Sequence, residues 1–239
     1  MKSLQLSLLT FFILLLSLAG KGEQKFDHSK WNQLLQKHVS AKGNVNYEGF
    51  ANDKAELDAY LSKIAAVKPN SNWTRNEAMA YWINAYNAFT IELMLNNYPL
   101  KSIMDVNGGK AWDLKFIDIK GEKYSLNNME HDILREKYFD PRIHFAVNCA
   151  SISCPKLSNS AYFAEGLDAK LDKAAKEFIN NSSKNDISAY VAQISKLFDW
   201  YKDDFTKNVT VKDYINEYST TKLTVNNISY KEYNWNINK

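Results

Sequence analysis

The sequence predicts an α+β fold: a helix-rich single domain with a small, mainly antiparallel sheet. Three observations carry this. Apolar residues recur at helical spacing through most of the chain, short alternating stretches cluster in the middle and near the end, and no regular β-α-β alternation joins them. Glycine and proline are sparse, 8 and 4 in 239 residues, which leaves little material for a low-complexity linker.

Each element has its own signal. Trp31, Leu34, Leu35, His38 and Val39 fall at helical spacing over 27–40. Val45 and Tyr47 read as a short strand or extended turn, and Leu57, Tyr60, Leu61 and Ile64 as a second helix ended by Pro69. The longest helix follows. Thr74 and Glu77 form a T-x-x-E capping box, and Trp82, Tyr86, Phe89 and Leu93 run down one side, with Pro99 beyond the end. It is too apolar all round for a surface helix, so it is expected at the centre.

Phe116–Ile119, a turn around Gly121 and Tyr124–Leu126 read as a β-hairpin. SLNNMEHDILREKY is then helical, with Asn127 as N-cap, until Pro141. IHFAVN reads as a strand with Ile143, Phe145 and Val147 on one face and His144, Ala146 and Asn148 on the other. Leu167, Leu171, Ala174, Phe178 and Ile179 mark a helix over 167–180. A β-rich stretch near Ile187 to Val191, the helical SKLFDWYKDDF, a short helix over 211–218 and an extended tail, NISYKEYNWN, complete the chain.

The first residues bound the setting. Lys2, an apolar run from Leu8 to Leu16, and the small residues Ser17 and Ala19 read as an export signal over 1–19, so a periplasmic or extracellular protein is expected. Residues 20–44 then form an N-terminal helical segment continuous with a domain over 45–239. No later segment approaches the roughly 20 apolar residues of a membrane span. The net charge is +3, and the lysines are scattered, which argues against a nucleic-acid stripe. No phosphate loop is present: Gly108-Gly109 lacks the Lys-Ser/Thr that should follow. No cofactor signature stands out.

YWINAYNAFTIELML, YSLNNMEHDILR, DPRIHFAVNCASISCPKL, SKLFDWYKDDF and ISYKEYNWNIN resemble, in order, successive blocks of the domain of unknown function 547 family. The resemblance spans roughly residues 45 to 236. It implies no agreed activity. A relation to papain-like cysteine hydrolases enters as an expectation attached to that resemblance.

The chemistry concentrates in HFAVNCASISCP, which holds both cysteines of the chain. A thiol hydrolase needs a thiolate, a base, an orienting group and oxyanion donors. Cys149, past the expected strand and followed by small residues, is the expected nucleophile. Cys154 precedes Pro155, which has no N–H to donate. His131 on the preceding helix is the expected base, with Glu130 as orienting group and the Asn148–Ser151 turn holding the oxyanion. An extended strand would put His144 roughly 16 Å from Cys149, too far to serve it. Arg135, Asn84, Asn87, Ser151 and His144 are the candidate substrate contacts, with Asn84 and Asn87 also readable as amides pinning a loop to the central helix. The substrate expected is a peptide-like amide, a thioester or a related small molecule.

Two alternatives stand beside this reading. A Cys149–Cys154 disulfide would leave no thiol and point to a non-catalytic envelope or extracellular binding domain, with Trp200, Tyr201, Tyr233 and Trp235 contacting a partner. A zinc site built from His131, His144, Cys149 and Cys154 is disfavoured by the wide C-x4-C spacing and the missing histidine pair, so no metal is expected.

Overall fold

The computed structural model describes residues 26–239. The export signal expected over 1–19 lies outside them.

Helices dominate. α1 (Ser29–His38), α2 (Tyr47–Asn52), α3 (Lys54–Ala66) and α4 (Arg75–Asn96) come first. α2 is a short helix the sequence did not announce, because Val45 and Tyr47 read as extended. Val45 does bridge antiparallel to Val39, and Asn46 then caps α2 by accepting from the Gly49 N–H at 2.9 Å. α4 begins as its capping box dictates, with the Thr74 side chain and Glu77 each satisfying the other's backbone N–H. Nearly every α4 residue from Ala78 to Leu93 is buried, so the helix is the axis of the main core.

β1 (Ile117–Ile119) and β2 (Glu122–Tyr124) form the expected hairpin. Lys120 and Gly121 both take positive φ, +56° and +82°, the twist that a two-residue hairpin turn requires. The helix that follows departs from the expectation in two ways. Ser125, not Asn127, accepts from the Asn128 N–H, and the segment Asn128–Arg135 winds as a π-helix before the single turn α5 (Glu136–Tyr138).

The strand expected at IHFAVN is not formed. Pro141–Phe145 is a 3-10 turn. Asp140 accepts from the Arg142 N–H at 3.0 Å, and Pro141 in the first turn is pre-set for helical φ. Both nominal faces of the run are buried, and a short run buried on both faces does not distinguish strand from helix by periodicity.

α6 (Leu167–Ile179), β3 (Asp186–Ile187), β4 (Ala192–Ile194), α7 (Leu197–Trp200), α8 (Lys202–Phe205), α9 (Val211–Tyr218) and β5 (Ile228–Tyr230) complete the order. The strands make two sheets rather than one: the β1–β2 pair, and β3–β4–β5, antiparallel then parallel.

The core has two parts. The larger joins α1–α4, the hairpin and the 143–162 stretch, while the smaller gathers Phe145, α6, β4 and α7–α9. Ile143 and Val147 belong to the first and Phe145 to the second, so the 141–148 turn is the seam between them. Among the described residues no helix is long and apolar enough to cross a membrane.

Candidate active site

The seam opens into a cleft of about 180 Å³ lined by Glu130, His144, Cys149, Cys154, Tyr201 and Tyr233, with Trp112, Trp200 and Trp235 at its rim. Buried amides set the backbone here. Asn87 of α4 donates to the Ala146 carbonyl at 2.9 Å and accepts from the Asn148 N–H at 2.8 Å. One turn earlier, Asn84 holds Tyr162 in the same way, at 2.7 and 3.0 Å. Neither amide reaches the cleft; both pin chain to the central helix.

Asn148 continues the pattern. It donates to the Pro155 carbonyl at 2.7 Å and accepts from the Ala150 N–H at 3.0 Å, closing the turn that carries both cysteines. Ala150 is forced to φ +59°, a region costly for a residue with a Cβ. The expected oxyanion donors are largely consumed by this folding. The N–H groups of Asn148, Cys149 and Ala150 are all taken within the fold, that of Cys149 by the Cys154 sulfur at 2.9 Å.

Both cysteines are free, so the disulfide alternative is not formed. Instead of bonding to Cys149, the Cys154 sulfur accepts its N–H and is turned back toward the Val147 carbonyl. Cys149 is partly exposed to the cleft. Its sulfur lies 3.1 Å from the Ser151 hydroxyl and 3.3 Å from the Tyr233 hydroxyl. Burial alone would raise the Cys149 thiol, but hydrogen bonds from Cys154, Ser151 and Tyr233 and from the Ser151 N–H outweigh it and lower the pKa below the ordinary thiol value. Burial and the neighbouring Cys149 push Cys154 well up, so Cys149 is the more acidic of the two thiols.

The histidines fall differently from the expectation. His131 is not brought to Cys149. Its Nδ1 accepts from the Arg135 guanidinium at 2.8 Å, one turn along the same helix. Arg135 in turn grips Asp204 with two hydrogen bonds, at 2.6 and 2.9 Å, so its donors are taken by His131 and by Asp204 of α8. Glu130 points away from His131 despite the π-helix, and lines the cleft instead.

His144 takes the central place. With a 3-10 turn in place of a strand, the 16 Å separation does not apply, and His144 lines the same cleft as Cys149. Its Nε2–H donates to Asp204 at 2.7 Å, and its ring stacks on Tyr201 at 3.9 Å between centroids. A ring that donates through Nε2 carries its free lone pair on Nδ1 in the neutral state. That Nδ1 is buried and has no hydrogen-bond partner; the nearest carboxylate oxygen, on Glu130, stands 3.8 Å away. Burial would raise the Asp204 carboxyl, but the His144 and Arg135 bonds overcome it and hold the group well below the usual carboxylate range.

Three residues here were not assigned these roles from sequence. Asp204 and the stacking of Tyr201 come from DWYKDDF, where a carboxylate amid aromatics was the available signal, and Tyr233 comes from the aromatic tail. Trp200, Tyr233 and Trp235 form one cluster, with centroids 4.4 to 5.6 Å apart. Among the described residues, no group of three or more histidine, cysteine, aspartate or glutamate side chains is placed to hold a metal ion.

Residues 70–179 match the family described as "Protein of unknown function, DUF547". That stretch of the chain is a DUF547 match. No curated protein and no solved structure matches the chain. The DUF547 match contains Asn87, Glu130, His144 and Cys149, whereas Tyr201, Asp204, Tyr233 and Trp235 lie beyond it. The cleft is therefore assembled from the matched stretch and from the segments that follow it.

Proposed function

We propose that the cleft is the active site of an exported cysteine-dependent hydrolase or acyl transferase acting on amide or thioester bonds, in the manner of papain-like enzymes. The observation that carries the reading is the buried, unpartnered Nδ1 of His144 in the same small cavity as a partly exposed, reduced Cys149.

In this reading the Cys149 sulfur attacks the substrate carbonyl carbon, and any proton on the thiol passes to His144 Nδ1. Asp204 orients the ring, and the cation that forms is flanked by the carboxylates of Asp204 and Glu130. As the S–C bond forms, the carbonyl oxygen becomes the oxyanion of a tetrahedral intermediate, and the hydroxyls of Ser151 and Tyr233, released from the sulfur, turn to it. The C–N or C–S bond then breaks, and the leaving group takes the proton from Nδ1. Water, or an acceptor amine or thiol, attacks the acyl-Cys149 carbonyl and returns the free thiol.

The test is acylation of the purified protein by a short peptide thioester, read by intact mass and peptide mapping. An adduct on Cys149, absent in Cys149→Ser and strongly slowed in His144→Ala, is expected. A thiol that takes no acyl group and is alkylated only at alkaline pH would overturn the reading. That second result would favour a non-catalytic binding domain, a role supported by the sulfur's bonding to Ser151 and Tyr233 rather than to a histidine, and by the half-exposed Trp200 beside the cleft.

A further inference from the structure

A second cavity, about 1030 Å³, shares Cys154 and Pro155 with the thiol cleft and extends over the 41–44 loop, α6 and the loop after it. Its lining carries Lys42, Lys156, Lys170, Lys173, Lys184 and Lys239, and the side-chain carboxylate of Glu177 alone. The whole chain has a net charge of only +3, so this groove concentrates more positive charge than the molecule carries in excess.

The fold neutralises only part of that charge. Glu177 pairs with Lys156 at 3.1 Å. The two other carboxylates of α6 nearest in sequence, Asp168 and Asp172, are tied to Arg142. Lys170 is held by neutral oxygens, those of Ser160 and Ala161 at 2.7 to 2.8 Å, and Lys184 by the Ile152 carbonyl. Lys42 and Lys173 are exposed and make no ion pair among the described residues. The lysines feel one another: burial first, and then the charge of Lys173, push the Lys170 ammonium down to about 8.

The rest of the lining narrows the ligand. Asn44, Ser158, Asn159, Asn181 and Ser183 offer amides and hydroxyls along the groove. The aromatic rings that border it, Phe145, Tyr162 and Phe178, are buried, so no exposed face is offered for stacking a nucleobase. Lysines are point charges on flexible stems, suited to anions spread along a chain rather than to one bidentate phosphate. The volume is too large for a single small anion.

We propose that this groove binds an acidic polysaccharide, its carboxylate or sulfate groups meeting Lys42, Lys156 and Lys173 and its hydroxyls meeting the asparagine and serine side chains. The site is separate from the thiol chemistry, and Cys149→Ser retains it.

Binding of heparin (sulfated), polygalacturonate (carboxylated), neutral dextran and inorganic polyphosphate to the full chain tests this by titration at two ionic strengths. One or both acidic glycans bind, dextran does not, and added salt weakens the complex. The double variant Lys42→Glu, Lys173→Glu weakens it by about tenfold or more, because two attractions become repulsions, while Lys110→Glu, Lys115→Glu, an exposed pair elsewhere, leaves it within about twofold. The arm that binds says which anion the groove takes. Failure of both glycans to bind, polyphosphate binding as tightly as they do, or equal losses in the two double variants overturns the proposal.

Discussion

Asn87 closes a two-way hydrogen bond onto the chain just before Cys149, donating to the Ala146 carbonyl and accepting the Asn148 N–H, at 2.9 and 2.8 Å. The amide is 2% exposed, so water cannot take over either bond. Replacing it by leucine keeps the volume and orphans two buried backbone groups. A loss of about 2–6 kcal/mol is expected in denaturant unfolding, at roughly 1–3 kcal/mol for each unsatisfied group. A midpoint that does not move would mean the turn finds other partners.

Asp204 holds His144 and Arg135 at once. Its folded pKa is lowered, so its contribution to stability is present above the unfolded carboxyl value, about 3.9, and lost as pH falls below it. Asp204→Asn is expected to cost about 2–3 kcal/mol at neutral pH, the range of hydrogen bonds to charged groups. The gap between variant and parent should narrow toward pH 3. A gap independent of pH would contradict the ionised role.

His28 behaves oppositely. Burial pushes its pKa down to about 4, against a small upward pull from Asp27, and its Nδ1 meets the Tyr60 hydroxyl at 2.7 Å. Below about pH 6.5 the unfolded chain binds a proton that the folded chain refuses, so stability falls until the folded group titrates near 4. The full loss is about 3 kcal/mol, at 1.36 kcal/mol for each pH unit. His28→Gln should flatten the stability profile between those limits. An unchanged profile would place the acid sensitivity elsewhere.

Gly43 sits at φ +87° against Lys156, where an added Cβ would stand 2.4 Å from the Lys156 Cβ. Gly43→Ala therefore meets both strain and a clash, and a cost of about 1–3 kcal/mol is expected by thermal or chemical unfolding. A neutral result would show that the 41–44 loop can lift away from the groove.

The sequence made some of this readable and hid the rest for identifiable reasons. The Thr74–Glu77 box and the 3.6-residue apolar spacing located α4, since caps and periodicity are local properties. The α9 bounds, Val211–Tyr218, were equally local. Cys149, Glu130 and His144 are all candidates from the sequence, but their roles depend on the backbone between them. Reading IHFAVN as a strand removed His144 from reach, and only the 3-10 turn behind Pro141 restores it to the cleft. Asp204 and Tyr233 lie 60 and 84 residues from the groups they contact, a separation no local pattern can bridge.

The last stretch of the described chain stitches distant segments together. Asn236 accepts from the Ile152 N–H, Ile237 donates to the Lys101 carbonyl, Asn238 donates to Ala150 and accepts from Val45, and Tyr233 reaches Cys149. Translation runs from N-terminus to C-terminus, so a nascent chain carries Cys149 well before it has made the residues that cover it. The thiol stands without its tyrosine while the ribosome adds another 84 residues. The order of synthesis thus delays maturation of the cleft until the tail has docked, and a chain stopped before Tyr233 would hold the nucleophile but not its surroundings.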